Sequence, residues 1–206
     1  HVESILVLML FGPSRQTVWK QLAAELGGSY QHSFWRGSQV HAEANGWTVL
    51  LDIRLVPIGK VVIPFTRARA RFTTLDHLRF RLYRETLLSE LGKLLGMQDI
   101  LIGDAQFDDT FIVKSNDPSR IKELLSDAEL RELLLSQSGR FDLQVNDRTS
   151  FAVSLPEGIF ELQYQVMGTV KNLDQLRGIY EVFGQTLERL TVIRSAGPPG
   201  PEASSG

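Results

Sequence analysis

Met97-Gln98-Asp99-Ile100-Leu101-Ile102-Gly103-Asp104-Ala105-Gln106-Phe107-Asp108-Asp109-Thr110-Phe111-Ile112-Val113-Lys114-Ser115-Asn116 is the stretch on which the reading of the fold turns. Ile100, Leu101 and Ile102 form an apolar run that Gly103-Asp104 closes, and Phe111-Ile112-Val113 form a second, closed by Ser115-Asn116-Asp117-Pro118. Short apolar runs between turn residues predict two buried strands. Four carboxylates, Asp99, Asp104, Asp108 and Asp109, fall in the same segment, which raises the question of a divalent metal. The alternating ligands, central Gly and closing Glu of a calcium loop are missing, and Asp at turns and caps commonly bonds nearby backbone N–H groups.

Before this stretch, Ser14 is placed to cap a helix bearing Val18, Trp19, Leu22, Ala23 and Leu26, which Gly27-Gly28 stops. Tyr30–Trp35 and Ser38–Ala44 read as a hairpin about Arg36-Gly37, and Asn45-Gly46 turns the chain into Trp47–Leu55. Pro57, Gly59 and Pro64 break the next segment. Phe65–Phe72 and Leu78–Arg84 then read as a strand pair across Thr73–His77, and Glu85–Leu95 as a helix ended by Gly96.

After it, Asp117-Pro118 starts a helix over Ser119–Leu125, and Ser126 with Glu129 forms a capping box for another through Leu135. Phe141–Asn146, Thr149–Leu155 and Phe160–Met167 read as three more strands. Asn172 caps a last helix whose apolar stripe, Leu173, Leu176, Ile179, Phe183, Leu187 and Leu190, spans roughly 30 Å at 1.5 Å per residue. Gly178 and Gly184 interrupt it and its spacing is no sustained heptad, so it reads as a helix laid on a sheet. Trp19, Trp35 and Trp47 read as core.

The expected fold is α+β, with antiparallel sheets built of meanders and hairpins and covered by the N-terminal and C-terminal helices. Residues 1–13 read as an apolar lead-in, 14–194 as a globular region that is either one domain or two packed halves meeting near Met97, and 195–206, rich in Gly, Pro and Ser, as a disordered tail. The unbroken apolar run Ile5–Phe11 reads either as a lead-in that packs on the core or as the end of a membrane helix. The expected location is cytoplasmic, with membrane association through a segment upstream of residue 12.

Composition bounds the function. Lys and Arg number 22 against 24 Asp and Glu, a net charge of −2, which argues against a generally basic nucleic-acid binder. The chain has no cysteine, so disulfides, thiolate zinc sites and cysteine nucleophiles are excluded. The hydrolase elbow, the phosphate-binding loop, the dinucleotide fingerprint and the His-Glu-x-x-His motif are absent from the sequence.

Two constellations remain. Arg67, Arg69 and Arg71 alternate with Ala68 and Ala70, and Arg79 and Arg81 follow after the turn. In a hairpin with Arg71 opposite Arg79, five guanidinium groups would crowd one face, where like charges destabilise. Either carboxylates such as Asp52, Glu43 or the aspartates of the opening stretch neutralise that face, or an anionic partner does. A two-residue turn at Arg36-Gly37 would also set His32 opposite His41 with Glu43 beside them, a zinc or iron ligand set.

Trp19 and the hairpins, Arg67-Ala68-Arg69-Ala70, Gly96-Met97-Gln98-Asp99-Ile100, Gly103-Asp104, Phe107-Asp108 and the run from Phe111 to Asp117 resemble a group of uncharacterised bacterial proteins. The resemblance covers most of the chain up to about the second strand group. It implies kinship and a place beside membrane segments, and carries over no activity and no site residue.

The function expected is a non-catalytic binding module. Arg67, Arg69, Arg71, Arg79 and Arg81 would hold an anionic membrane surface or an acidic protein, with nucleic acid a less favoured partner, and no cofactor is expected. The alternative is a metal-dependent hydrolase using Asp104, Asp108 and Asp109 or the His32, His41 and Glu43 set.

Overall fold

The structure, a computed structural model, describes residues 14–34, 36–84, 98–150 and 153–199. The apolar run Ile5–Phe11, Trp35, the helix expected over Glu85–Leu95 and the tail beyond residue 199 lie outside the described residues. Eleven strands are described: β1 (Ser29–Ser33), β2 (Gly37–Ala44), β3 (Trp47–Ile58), β4 (Val61–Thr73), β5 (Phe80–Tyr83), β6 (Gln98–Asp99), β7 (Ile112–Ser115), β8 (Phe141–Asn146), β9 (Arg148–Ser150), β10 (Val153–Ser154) and β11 (Ile159–Met167). With them are helices α1 (Arg15–Glu25), α2 (Ala105–Thr110), α3 (Pro118–Leu124), α4 (Ala128–Ser136) and α5 (Leu173–Val192).

The fold is α+β, as expected. Nine strands form one antiparallel sheet in the order β1-β2-β3-β4-β11-β8-β5-β7-β6, while β9 and β10 make a separate ribbon. β5, from before Met97, lies between β8 and β7 from after it, and β11 lies beside β4, so one sheet holds strands from both parts of the chain. The hairpin expected between Phe65–Phe72 and Leu78–Arg84 does not form: β11 and β8 lie between β4 and β5.

Helices α1 and α5 cover one face. α1 packs on β1 and β2, and α5 crosses β2, β3 and β11 while also meeting α3 and α4. Inward-facing Val40, Leu51, Ala68, Ala70, Phe72, Tyr164 and Val166 meet Trp19, Leu22, Ile179, Phe183 and Leu187, all buried. Burying each of the larger aliphatic or aromatic side chains contributes about 1.5–3 kcal/mol. The Trp19 indole Nε1–H donates to the Val170 carbonyl at 3.1 Å, which ties α1 to the lead into α5. The glycines of α5 mark close approaches: a Cβ at Gly184 would stand 3.0 Å from the Asn45 amide, and one at Gly178 3.1 Å from that of Gln137.

Three local expectations are corrected. Pro57 and Pro64 do not end strands; β3 and β4 run through them and turn at Gly59-Lys60, with Leu55 opposite Pro64 and Pro57 opposite Val62. Ile100–Ile102 is no strand, because pairing stops at Asp99, Leu101 is exposed, and Asp104 caps the short α2 by accepting from Phe107 N–H. The cap of α4 is Asp127, which accepts from Leu130 N–H, while the Ser126 hydroxyl donates back to the Glu123 carbonyl. At the start of the expected tail, Ala196 bridges Thr74, and Gly197 N–H donates to the Thr73 carbonyl.

Candidate functional site

Alternation in the strands separates two faces. Ala68 and Ala70 turn to the helices, so Arg67, Arg69 and Arg71 turn to the other side, as the spacing predicts. The strands next to them supply what the expected hairpin could not. β11 sets Gln165, Gln163 and Glu161 opposite Arg67, Arg69 and Arg71, and β8 on its other side sets Asp142, Gln144 and Asn146 opposite Gln165, Gln163 and Glu161. β5 then places Arg81 opposite Gln144. Amides and carboxylates thus separate the two arginine-bearing strands, which removes the like-charge contact that a direct hairpin would have created.

The ion pairs follow from this register. The Arg67 Nε–H and Nη2–H donate to Asp52 Oδ1 and Oδ2 at 2.8 and 2.7 Å, a bidentate pair. Arg69 shares the same carboxylate at 3.1 Å and lies 3.9 Å from Glu161, which Arg71 approaches at 3.5 Å. Arg81 grips Asp142 through Nε and Nη2, with Gln165 donating to the same carboxylate at 3.3 Å. The Gln144 amide donates to Gln163 at 2.6 Å and bridges the middle of the face.

The face is not fully balanced. Arg54 shares it with Asp52 by alternation, so on the central strands β3, β4, β11, β8 and β5 five guanidinium groups (Arg54, Arg67, Arg69, Arg71, Arg81) meet three carboxylates, Asp52, Asp142 and Glu161, while toward the edges Glu43 and the Lys114–Asp99 pair share the same face. Burial lowers the pKa of both Arg54 and Arg69, and the charge of Arg67 beside them lowers it further. Glu161 is 2% exposed, and burial pushes its carboxyl above the usual range despite the arginines around it. Its Oε1 has no hydrogen-bond partner among the described residues.

Of the expected anion-binding set, then, Arg67, Arg69, Arg71 and Arg81 share one face. Arg79 stands just outside β5 and lines a different hollow with His77, Asn116 and Glu157. Arg54, Asp142, Glu161 and the three glutamines belong to the face and were missed. The signal was present in Asp142-x-Gln144 and Glu161-x-Gln163-x-Gln165, polar residues at every second position of otherwise apolar strands.

Neither expected metal set assembles. Ser33 pairs with Gly37, with three residues between them in the sequence instead of two, so His32 falls opposite Ser38 and His41 opposite Ser29. The offset puts the two histidines on opposite faces, and His32 Nδ1 lies 3.2 Å from the Ser38 hydroxyl. Glu43 stays on the His41 side. In the acidic stretch Asp104 caps α2 and accepts from Arg131 at 3.1 Å, and Asp108 accepts from the Ile102 and Gly103 N–H groups, each at 2.8 Å. Asp99 pairs with Lys114 at 3.0 Å, and Asp109 is exposed. Among the described residues no group of three or more His, Asp or Glu could hold a metal ion.

No protein-family model matches the chain, and no curated protein matches it. Among solved structures, the crystal structure of the mycobacterial trehalose monomycolate transport factor A, TtfA, is similar to it with a TM-score of 0.56 and 12% identity, over 89% of this chain and 98% of that one. At that identity the likeness is one of fold: an open antiparallel sheet with helices. These comparisons attach no reaction to the chain, in keeping with the resemblance its motifs show. Among the described residues no helix is long and apolar enough to cross a membrane.

Proposed function

We propose that this protein is a non-catalytic binding module whose arginine-bearing sheet face holds an anionic membrane surface. The observation that supports it is the excess of guanidinium groups over carboxylates on the central strands of that face, five against three. Cations held together by the sheet repel one another, and a phosphate-bearing surface relieves that repulsion while accepting hydrogen bonds that the internal carboxylates leave unused. The side chains of Arg67, Arg69 and Arg71 are 14%, 18% and 26% exposed, so their outer edges are accessible. A transport factor named for trehalose monomycolate, a glycolipid, shares the fold, which is compatible with work at a lipid surface.

The test is vesicle binding by an Arg54→Gln/Arg71→Gln double variant. Each basic residue near an anionic bilayer contributes about 1 kcal/mol, so the double variant is expected to bind phosphatidylcholine vesicles containing phosphatidylglycerol roughly thirtyfold more weakly, with its thermal unfolding unchanged or raised. Equal binding by variant and wild type would remove the face from the interaction. Binding to polyglutamate but not to vesicles would replace the membrane with an acidic protein.

A further inference from the structure

The far end of the β3–β4 hairpin is a second surface, built from different residues. β2 pairs with β3 only as far as Leu51, and β11 pairs with β4 only from Phe65 onward. Beyond the Leu55–Pro64 pair, where the Pro64 carbonyl accepts from Gly168 N–H, Val56–Ile58 and Val61–Ile63 pair only with each other. A ribbon of about four residues per strand reaches roughly 13 Å past the sheet. Its sequence, Leu55-Val56-Pro57-Ile58-Gly59-Lys60-Val61-Val62-Ile63-Pro64, holds one charge. Leu55, Val61 and Val62 are 64%, 60% and 58% exposed, three of the most exposed large apolar residues described.

An exposed apolar ribbon invites either strand addition by another chain or burial in lipid. The prolines decide between them. Thr66 N–H points away from β3 to the Gly168 carbonyl, so by alternation the nitrogens of residues 64 and 62, and of their β3 partners 55 and 57, also point outward. Pro64 and Pro57 occupy such positions, one on each edge. They cost the hairpin no ladder bond and deny each outer edge a donor, which disfavours pairing with a second copy or an extended partner. Charge supplies the rest. From Ile53 to Leu75 the chain has no Asp or Glu and carries Arg54, Lys60, Arg67, Arg69 and Arg71, a composition complementary to anionic headgroups.

We propose that this hairpin tip inserts into the interfacial layer of an anionic lipid bilayer. Leu55, Val61 and Val62 lie below the headgroups, and the flexible stem of Lys60 keeps its ammonium at the level of the phosphates. The target membrane is that of the function proposed above, but the inserted residues Leu55, Lys60, Val61 and Val62 lie outside the arginine face, so insertion can fail while that face still binds.

The experiment places a tryptophan at the tip, Val62→Trp, and another at exposed Leu101 beyond β6, Leu101→Trp, in the full chain. Their fluorescence is compared with that of the wild type on phosphatidylcholine/phosphatidylglycerol vesicles containing brominated acyl chains, with co-sedimentation measured in parallel. The expected result is quenching and a blue shift for Val62→Trp alone, and a Leu55→Ser/Val62→Ser variant that partitions roughly tenfold or more weakly while unfolding at the wild-type temperature. Co-sedimentation without quenching at residue 62 overturns the insertion and leaves the arginine face standing. Absence of co-sedimentation overturns both, and a dimer in solution that Leu55→Ser/Val62→Ser dissolves overturns insertion in favour of a second copy.

Discussion

Glu161 shows how closely the polar face is balanced. Its carboxyl is held above the ordinary glutamate range because burial outweighs the attraction of Arg69, Arg71 and Arg67. A raised carboxyl pKa means that the folded chain binds this proton more tightly than the unfolded chain. The stability it contributes is present below the unfolded pKa and is lost as pH rises through the folded one. Glu161→Gln is therefore expected to match the wild type near about pH 4 and to be the more stable protein toward neutral pH, as read by thermal unfolding across that range. A variant less stable at neutral pH would mean that the arginines, rather than burial, dominate at this residue. Arg81 and Asp142 are each 10% exposed in their side chains, and removing one strands the other. Arg81→Met is expected to lose about 3–5 kcal/mol in denaturant unfolding, whereas Arg81→Met combined with Asp142→Leu loses much less.

At the scale of elements, what was legible depended on whether the signal was local. α1, α3 and α5 were found from Ser14, Asp117 and Asn172, and all three residues do cap their helices. The Asn45-Gly46 turn was found because both positions need positive φ, and they have 49° and 82°. Register was harder: the turn after β1 is three residues rather than two, and that difference alone separates His32 from His41. Close approach was not legible either. A Cβ at Gly28 would lie 2.2 Å from the His41 carbonyl and 2.7 Å from the Ala42 Cβ, where α1 feeds into β1 against β2. Gly28→Ala is expected to cost about 1–3 kcal/mol or more, because backbone must shift, and to perturb the β1–β2 edge first in hydrogen exchange.

For the whole molecule, the class of fold could be read and the order of its strands could not. Phe65–Phe72 and the segment holding Phe80–Tyr83 are neighbours in sequence, and each was recognisable as strand, but β11 and β8 arrive from more than 60 residues later to part them. The arginines themselves gave the hint, since five guanidinium groups on one hairpin would have been self-repelling; the resolution lay in Asp142, Glu161 and the glutamines between. What remains on the central strands of that face is a positive excess next to an apolar hairpin tip, and the function proposed for both is contact with a membrane. The measurement that tests this most directly is co-sedimentation of the full chain with phosphatidylcholine vesicles, with and without phosphatidylglycerol, at about 50 mM and about 500 mM salt. Binding that requires the anionic lipid at low salt and falls steeply at high salt is the predicted result. Binding indifferent to lipid charge and salt, or no binding to either vesicle, would contradict it.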